Sequence, residues 1–136
     1  MTMIDVAAAI LRDDQGRILI CQRGEGGNCA FLWEFPGGKR ETGETMEECL
    51  IRECREELEI EIALEGLYAE TTYAYPDRTI HFNFFNARIA GGTLKMDVHN
   101  DMKWVRNEDL PDYPFCPADE DIIKMLASEP ARKKKL

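Results

Sequence analysis

Apolar runs at residues 4–11 and 17–23 flank the turn sequence Asp13-Asp14-Gln15-Gly16 and predict a strand, a tight turn and a returning strand. Residues 24–30, with three glycines and Asn28, read as a loop. Trp33-Glu34-Phe35 is short and extended, since Pro36 confines Phe35 to β-like conformations. Gly37-Gly38 then predicts a sharp loop in which the backbone comes close to a neighbour. From Thr45 the period changes to that of a helix. Thr45 and Glu48 have capping-box spacing, and Leu50, Ile51, Cys54 and Leu58 form an apolar stripe about 100° wide. Two long strands, 62–75 and 79–89, are predicted to meet at the turn Pro76-Asp77-Arg78 and to end at Gly91-Gly92. A short strand at 102–105 follows. A last helix begins after Pro117, with Ala118 or Asp119 at its cap and Ile122, Met125 and Leu126 facing inward. Mixed strands with two principal helices are an α+β pattern.

On the first helix, Glu53, Glu56 and Glu57 occupy i, i+3 and i+4, so they share one face beside the apolar stripe. Like charges at that spacing cost about 0.2–0.5 kcal/mol per pair. A solvated, charge-rich face is the common reading of such a run. Converging carboxylates also suit a hard divalent cation, which takes oxygen ligands. The 136-residue chain has formal net charge −9 and five cysteines without a C-x-x-C pair. It is long enough for one core, placed at residues 1–130, with 131–136 as a basic tail. The acidic balance argues against binding a nucleic-acid polymer. Cysteine usage suggests reduced thiols in a cytoplasmic protein, and no apolar run is long enough for a membrane span. An acidic protein acting on phosphates needs cations between itself and its substrate.

The segment Gly38-x5-Glu44-x7-Arg52-Glu53-Cys54-x-Glu56-Glu57-x-Glu59-Ile60 resembles the Nudix box, G-x5-E-x7-R-E-U-x-E-E-x-G-U, U being a bulky aliphatic residue. Cys54 departs mildly, as a small hydrophobe in an aliphatic position. Glu59 departs more, replacing a glycine suited to positive φ at a helix end. The resemblance implies the Nudix fold, a curved mixed β-sheet sandwiched between α-helices. It implies Mg²⁺, with Mn²⁺ able to substitute, held by Glu53, Glu56, Glu57 and the Gly37 carbonyl. Glu53 is the candidate for helping to deprotonate the attacking water, Arg52 for orienting a glutamate and Glu44 for supporting both. A structural ion pair between Arg52 and Glu44 is an equally compatible role. Some relatives carry a further carboxylate before the last-strand tryptophan. Here Val98 holds that position, so Asp97 or Asp101 substitutes or the three glutamates suffice. His99 reads as a surface histidine.

Beyond the box, residues 22–23, 32–39, 76–78 and 115–119 resemble the MutT-like branch of 8-oxo-dGTP and CTP pyrophosphohydrolases. That branch converts a (deoxy)nucleoside triphosphate to monophosphate and pyrophosphate. By this resemblance the nucleoside is placed by Arg23, Asn28, the backbone of Glu34, Phe35, Pro36 and Gly37, Arg78 and Asp119. An ionised Asp119 would favour a base edge rich in donors, whereas a protonated one could also donate. Capping of the last helix is its plainer role. An ADP-ribose or dinucleoside-polyphosphate hydrolase, or a non-catalytic nucleotide-binding module, remains as an alternative. A monomer or homodimer is expected.

Overall fold

The computed structural model describes residues 2–130, so the basic tail lies outside the described residues. Its strands are β1 (Thr2–Leu11), β2 (Ile18–Gln22), β3 (Trp33–Glu34), β4 (Gly37–Lys39), β5 (Ile60–Ala74), β6 (Arg78–Gly92) and β7 (Asp101–Val105). Its helices are α1 (Met46–Leu58) and α2 (Glu120–Ala127). A 3₁₀ segment at Asn107–Asp112, not expected from the sequence, follows β7, and a second at Pro117–Asp119 leads into α2.

The mixed sheet is real but divided. One sheet runs β4-β1-β6-β5, with β1 parallel to β6, and a three-stranded antiparallel sheet runs β3-β2-β7. The β1–β2 hairpin keeps only one bridge, Arg12 with Ile18, so its two strands part into different sheets. Strand β1 is the hinge of the core. Ala7, Ala9 and Leu11 bury under α1, while Ala8 and Ile10 bury on the opposite side with α2. Burial on both faces explains why its pattern is a continuous apolar run.

Helix α1 starts where its sequence says it should. Thr45 accepts from the Glu48 amide, and Glu48 accepts in return from the Thr45 amide. The helix buries Cys49, Leu50, Cys54 and Leu58. Burying each leucine stabilises by roughly 1.5–3 kcal/mol, more than the ~0.2–0.5 kcal/mol per like-charge pair on the acidic face. The helix therefore tolerates its glutamates. Glu59 then takes the left-handed conformation (φ 56°, ψ 38°), its amide reaching Arg55 O at 3.1 Å. The turn that a glycine would make is kept by a glutamate under strain.

Three expectations are corrected. Gly37-Gly38 is not a loop but the start of β4, paired to β1 at Ala8 and Ala7. Gly91-Gly92 does not break β6, because both residues pair with β5 at Glu61 and Ile60. Met125 is 44% exposed, and it is Ile123 that joins Ile122 and Leu126 in the core.

Candidate active site

Strand β4 lies against α1, and two glycines make that contact possible. A Cβ on Gly37 would fall 2.0 Å from Ala7 O, and one on Gly38 would fall 2.4 Å from the carboxyl carbon of Glu53. The Glu53 carboxylate therefore rests on bare backbone, in a cradle that any larger residue at position 38 would fill.

Arg52 is the hub of the cluster. Its guanidinium donates to both oxygens of Glu44, at 3.0 Å from Nε and 2.7 Å from Nη2. The same fork donates to Glu53 (2.9 Å), Glu56 (3.0 Å) and the Lys39 carbonyl (3.1 Å). Bidentate pairing of this kind fixes geometry as well as charge. The Arg52 guanidinium, with the Glu41 amide, holds the Glu44 carboxyl down at about 2. Loop and helix are thus pinned together by an ion pair that also orients Glu53.

Glu57 behaves differently. Burial pushes its carboxyl up to about 7, and the charge of Glu53, which also hydrogen-bonds it, pushes the same way. Arg52 compensates Glu53, while Glu57 stays raised beside it, and a hard cation would offset the charge of the pair. The donor chemistry of Glu53, Glu56 and Glu57 fits such an ion. Their present geometry is not a finished cage. Glu56 is largely exposed and leans on Arg52, and among the described residues no three His, Cys, Asp or Glu side chains are gathered closely enough to hold an ion.

The second half of the site lies at the β3 edge. Arg23 Nη1 is 3.0 Å from Glu34 Oε1, and His99 Nε2 is 3.3 Å from Glu34 Oε2. Arg78 stacks over the Tyr75 ring at 4.6 Å while pairing with Asp77. Asn28 stands exposed on the 24–30 loop. Phe35 is core, packed edge-on to Phe84 at 6.0 Å and tilted on Phe115 at 5.5 Å. The Pro36 carbonyl is already taken by the Ala9 amide at 2.8 Å. Arg23 and Glu34 are brought together, whereas the Phe35 side chain and the Pro36 carbonyl serve the core and the sheet.

Asp119 is only 5% exposed and makes no side-chain cap to α2. Burial, and then the charge of Glu34, pushes its carboxyl up to about 8. Burial thus favours the neutral form of Asp119 over the ionised one considered from the sequence, and the capping role is absent. A neutral carboxyl presents one donor and one acceptor.

His99 is the residue that the sequence misplaced. Its side chain is 4% exposed, not on the surface, and it lies near both Glu34 and Glu57. Asn100 is responsible: its amide reaches Gln22 O at 2.9 Å and its side chain reaches Gln22 Oε1 at 2.6 Å, which turns His99 inward and Val98 outward. Val98 is 56% exposed. Asp101 instead accepts from the Met102 amide at 2.8 Å, and Asp97 is exposed. Nothing in the hydropathy of Val98-His99-Asn100 announces this inversion.

Known proteins resemble this chain over most of its length. A family profile for the NUDIX domain matches residues 7–125. The CTP pyrophosphohydrolase of Escherichia coli (strain K12) is 38% identical over 96% of this chain and 99% of its own length. The 8-oxo-dGTP diphosphatase of Haemophilus influenzae is 36% identical, covering 93% of each chain. Among solved structures, the E. coli ORF135 protein superposes with a TM-score of 0.80 at 36% identity, over 97% of this chain and 96% of that one. The MutT protein from Methanosarcina mazei Go1, at 21% identity, shares the fold with a TM-score of 0.82 over 92% of this chain and 93% of its own.

Proposed function

The chain belongs to the Nudix family, and on that premise we propose that it hydrolyses a (deoxy)nucleoside triphosphate to the monophosphate and pyrophosphate, using Mg²⁺. The observation that carries this is the Glu53–Glu57 contact, oriented by Arg52 on a helix that bears the box motif. Nudix hydrolases generally require a divalent metal. Glu53, Glu56, Glu57 and the Gly37 carbonyl would hold Mg²⁺, which when bound supplies positive charge to the phosphate oxygens of the anhydride.

The chain's own groups do the rest. Arg52 keeps the Glu53 carboxylate against β4, where it is the candidate acceptor for the proton of the attacking water. Glu44 keeps Arg52 in that pose through its two-point hydrogen bond. In the nucleoside pocket, neutral Asp119 offers a donor and an acceptor side by side. That pair complements an edge carrying both: N3 and the amino group of cytosine, or a carbonyl beside a ring N–H in guanine or 8-oxoguanine. A donor–acceptor pair is matched by other base edges too, so CTP or dCTP and 8-oxo-dGTP are proposed as substrates on the activities of the two relatives. Arg23 and Arg78 are proposed to meet sugar, base or phosphate, as the matching residues of the MutT-like branch do.

A panel of nucleoside triphosphates, 8-oxo-dGTP and ADP-ribose, assayed with Mg²⁺ for pyrophosphate against inorganic phosphate, tests this. We expect pyrophosphate release, fastest with a cytosine or 8-oxoguanine nucleotide. Dominant turnover of ADP-ribose, or release of inorganic phosphate, would reject it.

A further inference from the structure

Few residues in the chain are as oddly placed as His99. Its neighbours Val98 and Asn100 are exposed, yet its own side chain is 4% exposed, inside a loop that Asn100 ties to Gln22 of β2. Its Nδ1 is buried and meets no hydrogen-bond partner among the described residues. A ring kept for packing alone has no use for nitrogen, since a leucine fills similar space without burying an unpaired polar atom. The polar contact that remains is the one from Nε2 to Glu34 Oε2.

Glu34 is gripped from both sides. Arg23 meets Oε1 at 3.0 Å and His99 meets Oε2 at 3.3 Å, one contact on each oxygen. A glutamate end group otherwise turns freely about its last torsion. A hydrogen bond from Arg23 on one oxygen and the close approach of His99 to the other restrain that rotation, while about half of the four lone-pair sites stay open. The Glu34 side chain is partly open to solvent, 25% exposed, so a bound molecule can reach it. We propose that His99 is a specificity-determining positioning residue: with Arg23 it fixes the Glu34 carboxylate so that its open lone pairs accept a hydrogen bond from the bound nucleoside, from a base N–H or a sugar hydroxyl. This rests on the nucleotide reading of the site given above. His99 touches no reacting atom, so its removal should be felt in binding and discrimination before turnover.

The experiment measures calorimetric Kd for CMP and dGMP, against UMP and dIMP, which lack the exocyclic amino group, and against 2′,3′-dideoxy-CMP, which lacks the sugar hydroxyls. Wild type, His99→Leu, His99→Gln and the double variant Glu34→Gln/His99→Leu are compared, with thermal melts to report folding. His99→Leu should weaken CMP or dGMP binding about tenfold, the range of one charge-assisted hydrogen bond. It should raise KM by a similar factor while lowering kcat less than threefold. His99→Gln, which keeps an N–H donor, should recover most of that loss. The double variant should be no weaker than Glu34→Gln alone, because the two residues act as one unit. A loss confined to nucleotides with an amino group identifies the donor as the base; a loss spared in dideoxy-CMP identifies the sugar.

Unchanged Kd in His99→Leu, equal weakening toward every probe, or no recovery in His99→Gln would overturn the assignment. If His99→Leu does not fold, His99→Gln and Glu34→Gln decide it: the first should bind like wild type and the second should lose discrimination. Wild-type binding of CMP or dGMP without turnover of any triphosphate would reject the hydrolase reading and leave the Glu34 clamp standing. Turnover with a His99-independent Kd would reject the clamp and leave the hydrolase.

Discussion

Asp119 shows how one burial changes chemistry. In the unfolded chain its carboxyl ionises at the ordinary 3.8, while in the fold it holds its proton to about 8. Between those values the native state binds a proton that the unfolded state has lost, so stability falls as pH rises through this window. Asp119→Asn removes the proton and keeps a donor–acceptor pair. We expect the melting temperature of the variant to exceed that of wild type by a margin that grows from pH 5 to pH 8, with nucleotide preference retained at pH 7. A constant margin across that range would mean that the buried carboxyl is ionised throughout. Residue type and spacing showed that 119 sits at a helix start; only its neighbours could show that it is neutral.

On the scale of the element, α1 has an ideal beginning and an imperfect end. The Thr45–Glu48 box satisfies its first amides, and both residues could be read from sequence because capping depends on local spacing. Its end carries Glu59 in left-handed geometry, which costs roughly 1 kcal/mol more than glycine would. Glycine adds roughly 0.5 kcal/mol of freedom to the unfolded chain. Glu59→Gly should therefore raise stability by about 0.5 kcal/mol in urea denaturation, without affecting Arg52, which lies two turns further in. A loss of stability would show that the Glu59 side chain contributes more than its backbone strain costs.

The whole molecule carries a formal charge of −9 and concentrates acid beside β4. Binding of a divalent cation to the native state alone stabilises it by mass action, about 2.7 kcal/mol at a hundredfold excess over Kd. Millimolar Mg²⁺ should thus raise the melting temperature of wild type by several degrees, and EDTA should reverse the rise. Glu57→Gln, which removes a charged ligand but keeps shape, should lose most of the shift and nearly all turnover while still folding. An equal Mg²⁺ shift in both proteins would place the ion elsewhere. The described residues include no helix long and apolar enough to cross a membrane.

Sequence alone determined what depends on near neighbours along the chain: the strand and helix periods, the capping box, the Glu53–Glu56–Glu57 face and the motif that placed the family. Tertiary structure decided what depends on partners far apart in sequence. It split the strands into two sheets, drew Gly37-Gly38 into pairing with β1, and set Glu34 between Arg23 and His99. It also buried His99, beside an Asn100–Gln22 contact that spans 78 residues, and enclosed Asp119 so that its neutral form is favoured. Periodicity is a property of a segment, whereas burial and the energy of a charge belong to the space around it, and that space exists only once the chain has folded.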